Sequence, residues 1–162
     1  MVGYFMKIYA VKILDISKKG LEDLCLLISP EKRCKIGKFV NKEDKIRSLI
    51  GEILIRTIVV HELSITNKHI IFHKNKYGKP FLKGYPIINF NISHSKDFVV
   101  CAIDYKPIGI DIEEIKNIKY GDIAKNFFTQ SEFHYIIKQN VDSQLSKFYE
   151  IWTLKERDRK SV

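Results

Sequence analysis

The chain has 162 residues and a formal net charge of +9, with 45% hydrophobic and 29% charged residues. This length suits one sizeable core, and because no apolar run approaches the ~18 residues that span a bilayer, the sequence predicts no transmembrane helix. The positive charge favours an anionic partner, whether nucleic acid, a polyphosphate cofactor or an acidic protein.

The first residues do not have the pattern of a signal peptide, because Lys7 and Lys12 interrupt any apolar stretch. The cysteines at positions 25, 34 and 101 are odd in number and form no C-x-x-C motif. This spacing predicts neither a disulfide framework nor a zinc site. We therefore expect a reducing, cytoplasmic compartment.

The first third of the chain alternates strand-like and helix-like patterns. Residues 5–14 predict a strand, and residues 19–28 and 30–39 predict short helices. Asn41 is suited to cap a long helix that reaches about His61, since apolar residues then recur at helical spacing.

The middle of the chain is rich in strand patterns. A short strand is predicted at 69–73, followed by a turn at 77–80. Strands are then predicted at about 87–92, 97–104 and 108–114.

The last third is predicted to be helical. Thr129 and Glu132 form a capping-box pattern that opens a helix through Ile137. The last helix is predicted from about residue 143 to the end, with Asp142 as its N-cap.

Two carboxylates share one face of the predicted strand at 108–114. Because side chains alternate along a strand, Gly109, Asp111 and Glu113 lie on one face and the isoleucines of this run on the other. Adjacent carboxylates raise each other's pKa unless a cation lies between them, and hard oxygen ligands suit Mg²⁺. The alternative is a solvent-facing edge strand with two incidental acids.

A second candidate feature lies on the last helix. Phe148, Trp152, Glu156 and Lys160 follow one another at i, i+4 spacing, so they form one stripe. Glu156 continues an apolar face, where a carboxylate is uncommon. It is either a third metal ligand followed by a cation, or the helix simply emerges into solvent after Leu154.

The third feature is the run Ser93-His94-Ser95 at the end of a predicted strand. Hydroxyl donors and an imidazole in one segment suit phosphate oxygens. A serine nucleophile with a histidine base is the rival interpretation. It is weakened because adjacent residues of an extended chain point apart.

These three stretches, in this order, resemble the Sfp-type 4'-phosphopantetheinyl transferases. The resemblance runs from about Lys7 to Lys160 and includes seven ordered motifs at compatible spacing. The further motifs are Ile28-Ser29-Pro30-Glu31-Lys32-Arg33, Lys42-Glu43-Asp44 with Arg47, Tyr77-Gly78-Lys79-Pro80, and Phe127-Phe128 with Glu132.

The resemblance implies an α+β fold of two pseudo-symmetric α/β halves with the active site between them. Residues 1–104 would form the first half and residues 105–162 a partial second half. After Lys155-Glu156 the family usually continues with small, aromatic or aliphatic residues, whereas here the run at 157–159 is charged. We therefore expect a C-terminally truncated member with an incomplete second half.

The resemblance also implies an activity. It is the Mg²⁺-dependent transfer of the 4'-phosphopantetheine group of coenzyme A to a serine of an acyl or peptidyl carrier protein. Such carriers serve fatty acid, polyketide or non-ribosomal peptide biosynthesis. The alternative is a truncated, inactive remnant that only binds coenzyme A. A nucleic-acid binder remains a third interpretation without a supporting motif, and we expect neither a nucleic-acid nor a membrane partner.

Residue roles follow from the same resemblance. Asp111, Glu113 and Glu156 would be the metal ligands, and Glu113 or Glu156 the base for the attacking hydroxyl. Lys160 would contact the phosphate and protonate the leaving group, unless it is only a frayed helix end.

Cofactor contacts are implied at two further places. Lys32, Lys35 and Arg47 resemble the basic group around the 3'-phosphate, although a solvated helix face is the simpler interpretation. The remaining implied cofactor contacts are Lys79, Pro80, Ser93, His94, Asp111 and Lys160.

The aromatic residues of the last third have two predicted uses. The expected core residues are Phe127, Phe128, Phe148 and Trp152. The helix after Thr129 is where the family usually meets its protein partner, so Phe133 and Ile137 are candidate contacts there.

Overall fold

The computed structural model describes residues 6–161, which combine five strands with six α-helices. The strands are β1 (Lys7–Lys12), β2 (Phe72–Lys74), β3 (Pro80–Leu82), β4 (Asn89–Ser95) and β5 (Phe98–Asp104). The helices are α1 (Lys18–Leu26), α2 (Pro30–Gly37), α3 (Lys42–Leu63), α4 (Tyr120–Phe127), α5 (Gln130–Ile137) and α6 (Val141–Ser161), with a 3₁₀ turn at Asn67–His69. This arrangement confirms the predicted α+β class.

Three antiparallel strands form the main sheet in the order β1-β5-β4, with Tyr9 opposite Cys101 and Cys101 opposite Ile92. The central strand β5 carries a continuous buried run, as its unbroken apolar sequence Val99 to Ile103 requires. Cys101 is fully buried, and this burial raises the pKa of its thiol to about 12. The thiol is therefore a small core side chain with no thiolate character at neutral pH.

Helix α3 packs across this sheet. Its N-terminus is capped as predicted, because the Asn41 side chain accepts hydrogen bonds from the backbone N–H groups of Glu43 and Asp44. Its apolar face contributes Ile55, Ile58 and Val59 to the main core. Helices α1 and α2 cover another part of α3 through a smaller cluster, formed by Ile28, Ile36 and Leu49.

Helices α4, α5 and α6 surround a separate core cluster. Phe148 is 1% exposed and packs with Ala124 and Ile136. The Phe148 ring stacks on Phe128 at 5.3 Å and on Trp152 at 5.8 Å between ring centroids. The capping box at Thr129 and Glu132 is present and opens α5 as predicted.

The predicted strand at 108–114 is wrong. Residues 107–119 form no regular element. The Ile110 N–H donates to the Asn91 side chain and the Glu114 N–H donates to the Ser95 side chain, so these amides take side-chain acceptors in place of a backbone ladder.

Three smaller expectations are also corrected. Helix α6 begins at Val141, so Asp142 lies within its first turn and is not the N-cap. The aromatic face of α6, which we expected to pack against the segments 97–104 and 108–114, packs on α4 and α5. The sequence patterns did not predict α4, and its last residue Phe127 is 68% exposed and not in the core.

Among residues 6–161, no helix combines the length and apolar character that crossing a bilayer would require.

The third core cluster gives a direct stability test. Phe148→Ala should lower the free energy of unfolding by about 3–5 kcal/mol, because it removes a fully buried ring and leaves a cavity. Phe127→Ala removes the same side chain from an exposed position and should change stability by less than ~0.5 kcal/mol. Chemical denaturation of both variants measures the difference. Equal effects would show that Phe148 is not the centre of this cluster.

Candidate functional site

A row of polar side chains on β4 faces the irregular segment 110–114. Asn91, Ser93 and Ser95 share one face of the strand because side chains alternate. Ser93 Oγ donates to Asp111 Oδ1 at 2.7 Å. The segment that carries the predicted acids is thus held beside β4 by side-chain contacts.

Asp111 is the most enclosed charged group of this region. Its side chain is 1% exposed, and its Oδ1 also accepts a hydrogen bond from Lys160 Nζ at 2.5 Å. Its Oδ2 is buried and has no hydrogen-bond partner among the described residues. A buried carboxylate oxygen without a partner is costly, so this atom is suited to a cation or a donor brought by a ligand.

The other two predicted acids share the electrostatic neighbourhood of Asp111. Glu113 is exposed to solvent. Partial desolvation of its carboxyl nevertheless raises its pKa, and the negative charges of Asp111 and Glu156 raise it further. Lys160 and a hydrogen bond from Trp152 oppose this rise.

The three acids predicted as metal ligands are not arranged around one ion position in the described residues. Glu156 accepts a hydrogen bond from Arg159 Nη2 at 2.5 Å, so one of the three carboxylates already has an ion-pair partner. Residues 6–161 contain no cluster of three His, Cys, Asp or Glu side chains that could hold a metal ion as they are arranged here. The donor chemistry and the unpartnered Asp111 Oδ2 nevertheless fit a hard cation such as Mg²⁺.

A cleft of about 830 Å³ lies between α2, α3 and the β2–β3 hairpin. Five predicted cofactor contacts line it, together with apolar residues such as Ile71 and Phe72. These five are Lys32, Lys35, Arg47, Pro80 and His94. The structure therefore brings these residues to one concave surface, although their contact with a cofactor stays a prediction.

Three of the cations that line the cleft each have a carboxylate partner of their own chain. These pairs are Lys35 with Glu31 at 2.5 Å, Lys32 with Glu52 at 3.3 Å, and Arg47 with Asp44 at 2.7 Å. An anionic ligand would have to compete with these carboxylates. The pairs at the surface are weak in water, so such competition is feasible.

The sequence analysis missed the charged pair at the base of this cleft. Glu52 and Arg56 are 8% and 7% exposed, and Arg56 Nε donates to Glu52 Oε1 at 2.8 Å. Arg56 also donates to the Asn67 side chain and lies over the Phe72 ring. The available signal was their position between core residues of α3, where a charged pair is unusual.

Lys79 and Ser93 do not line the cleft. Lys79 Nζ donates to the backbone carbonyls of Ile108 and Ser161 at 3.0 and 2.7 Å, and burial lowers its pKa. Ser93 contacts Asp111, while its neighbour His94 lines the cleft on the other face of β4. The two residues therefore do not form a nucleophile–base pair, as their adjacency predicted.

The two candidate partner contacts on α5 differ in exposure. Phe133 packs against the third core cluster, and Lys125 Nζ lies 5.9 Å from the centroid of its ring. Ile137 is exposed. Their contact with a partner protein stays a prediction.

His94 offers a test of the charge around the cleft. Desolvation lowers the pKa of its imidazole, and the positive charge of Arg47 lowers it further. Arg47→Gln should therefore raise the His94 pKa part of the way towards the ordinary value of about 6.5. NMR titration of the ring protons measures this, with Arg33→Gln as a control that removes a cation outside the cleft. An unchanged His94 pKa in Arg47→Gln would show that the charge of Arg47 does not act on His94.

Comparisons with known proteins identify the family of this chain. Residues 15–106 match the N-terminal family of 4'-phosphopantetheinyl transferases, and residues 107–156 match the 4'-phosphopantetheinyl transferase superfamily. The chain is 40% identical over 152 residues to the 4'-phosphopantetheinyl transferase Sfp of Bacillus subtilis (strain 168), covering 93% of this chain and 67% of that protein. It is 45% identical over 148 residues to the 4'-phosphopantetheinyl transferase gsp of Aneurinibacillus migulanus, covering 91% of this chain and 61% of that protein. The chain thus spans roughly two thirds of the length of these relatives, and it belongs to the 4'-phosphopantetheinyl transferase family.

Proposed function

We propose that this chain transfers the 4'-phosphopantetheine group of coenzyme A to a serine hydroxyl of an acyl or peptidyl carrier protein. The observation that carries the proposal is the buried Asp111 carboxylate. One of its oxygens is paired with Lys160 and Ser93, and the other has no hydrogen-bond partner within residues 6–161. In this reaction the serine oxygen forms a bond to the phosphorus that bears pantetheine. The bond from that phosphorus to the leaving oxygen breaks, and adenosine 3',5'-bisphosphate is released.

We assign the divalent cation of this reaction to Asp111, Glu113 and Glu156. A bound Mg²⁺ would neutralise the pyrophosphate of coenzyme A and the charge that develops on the leaving group. Asp111 Oδ2 supports this assignment, because a buried oxygen without a hydrogen bond is available as a ligand. Glu156 would have to leave Arg159 to join it.

Proton transfer is assigned to the acids and to Lys160. Glu113 is exposed, so a carrier serine could reach its carboxylate from solvent. Its raised pKa makes it a better base than an ordinary glutamate. Glu156 is the alternative base. We assign the proton for the leaving phosphate to the ammonium group of Lys160, and its hydrogen bond to Asp111, beside the proposed cation ligands, supports this role.

The adenosine end of coenzyme A is assigned to the cleft. Its cations Lys32, Lys35 and Arg47 suit a dianionic 3'-phosphate. Pro80 and Phe72 offer apolar surface for the adenine ring. His94 lines the same cleft and would hold a phosphate oxygen.

The protein partner is assigned to the surface of α5. The net charge of +9 favours an acidic carrier protein. Ile137 is exposed on this helix and Phe133 lies near it at the edge of the core. A cytoplasmic location belongs to the same proposal and rests on the three free cysteines.

The metal assignment has a direct test. Asp111→Ala should abolish pantetheinyl transfer while the far-UV circular dichroism stays that of the wild type. The control Asp158→Ala removes an exposed acid of α6 that pairs with Arg157, and it should transfer normally. Transfer of a fluorescent coenzyme A derivative to a carrier protein measures the rate. An Asp111→Ala enzyme with near wild-type turnover would contradict the assignment, and a wild-type chain that binds coenzyme A without transfer would favour the binding remnant.

The cleft assignment predicts selectivity for the 3'-phosphate. Dephospho-coenzyme A should bind more weakly than coenzyme A by about 1–3 kcal/mol, because charge-assisted hydrogen bonds are lost. Arg47→Ala should shrink this difference, whereas Arg33→Ala should not. Isothermal titration calorimetry measures both ligands on each variant. Equal affinity of the wild type for the two ligands would refute a 3'-phosphate role for the cleft.

A further inference from the structure

We propose that Asn91 and Ser95 are positioning residues of the transfer reaction, which hold the backbone on either side of the Asp111–Glu113 acid pair. This inference rests on the proposed function for the role of the acids. It assigns a role to two side chains that do not contact the acids' carboxylates themselves.

The geometry shows two matched hydrogen bonds. Asn91 Oδ1 accepts from the Ile110 N–H at 2.9 Å, and Ser95 Oγ accepts from the Glu114 N–H at 2.9 Å. Ser95 is four positions after Asn91 on β4, and Glu114 is four positions after Ile110 on the segment. The segment 110–114 therefore follows β4 in the same direction at a similar rise per residue.

These contacts replace a backbone ladder. Residues 107–119 form no strand, so the backbone of the acid pair has no regular hydrogen-bond pattern to fix it. A parallel strand would use β4 carbonyls as acceptors, whereas here the side chains of alternate β4 residues extend to the amides. Between the two contacts, Ser93 Oγ holds the Asp111 carboxylate itself.

Burial makes the Asn91 contact hard to replace with water. Asn91 is 8% exposed, so its loss would leave the Ile110 N–H without its acceptor in a partly buried place. The segment would then gain freedom next to Asp111. A displacement of the order of 1 Å in a reacting group can cost about a hundredfold in rate.

The two faces of β4 separate this effect from cofactor binding. Asn91, Ser93 and Ser95 face the acids, while Phe90, Ile92 and His94 line the cleft. Loss of the Asn91 or Ser95 hydrogen bond should therefore lower kcat and leave the KM for coenzyme A nearly unchanged. A general weakening of β4 would alter both quantities.

The experiment compares Asn91→Ala, Ser95→Ala and Ser95→Thr, with Asn89→Ala as the matched control. Asn89 lies on the same face of β4, but its amide donates to the carbonyls of Ile87 and Tyr105, outside the segment. Ser95→Thr keeps the hydroxyl acceptor and should behave as the wild type. The first readout is amide hydrogen exchange by NMR on the full chain without ligand, referenced to the core amide of Cys101.

Asn91→Ala should speed exchange at the Ile110 amide by up to about tenfold relative to Cys101, and Ser95→Ala should do the same at Glu114. Both alanine variants should lower kcat by about tenfold to a hundredfold at similar KM, and Asn89→Ala should do neither. If Asn91→Ala does not fold, the Ser95 pair of variants decides the question alone.

The outcomes distinguish this inference from the proposed function. Unchanged exchange at Ile110 and Glu114, or faster exchange with unchanged kcat, would overturn the positioning role. A wild-type chain without transfer activity would overturn the proposed function, and the reaction role with it, while the exchange data would still report whether the two side chains hold the segment.

Discussion

The site depends on the pairing of the buried Asp111 carboxylate with Lys160. A carboxylate removed from water needs compensating charge and hydrogen bonds, and here they come from two distant parts of the chain. Lys160 reaches Asp111 from the end of α6, and Ser93 reaches it from β4. This contact therefore joins the last helix to the sheet and also fixes the position of the Asp111 carboxylate.

Two further features allow α6 to lie close to the segment that carries Asp111. A Cβ atom at Gly109 would lie 2.0 Å from the Arg157 carbonyl oxygen, so only glycine fits beside the helix there. Lys79 Nζ then bridges the Ile108 carbonyl and the Ser161 carbonyl near the helix end. Both contacts hold α6 at the depth at which Lys160 meets Asp111.

Local signals were predictable from the sequence, whereas contacts between distant residues were not. The caps at Asn41 and Thr129 were correct because each depends on residues two or three positions away. The alternation argument grouped Asp111 with Glu113, and their charges do interact, but the segment is not a strand. Its amides bond to side chains 19 residues earlier, and no local pattern reveals such a pairing.

The burial of charged side chains was also difficult to predict from the sequence. The resemblance brought Lys32, Lys35 and Arg47 to one surface, and the structure places them on one cleft. The resemblance did not include the Glu52–Arg56 pair, and the position of these residues among the core residues of α3 is a weak signal, since an i, i+4 acid–base pair is an ordinary feature of exposed helices. The exposed position of Phe127 was missed for a similar reason, because the identity of an aromatic residue does not show which side of a short helix it lies on.

The two faces of β4 carry opposite electrostatic environments. On the cleft side, desolvation and then the positive charge of Arg47 lower the pKa of His94. On the other side, desolvation and then the negative charge of Asp111 raise the pKa of Glu113. Lys160 lowers both pKa values, so its ammonium group is close enough to act on both faces. Under the proposed function, a polyphosphate with a bound divalent cation would bring negative charge to the cleft and positive charge to the acids, which complements both environments.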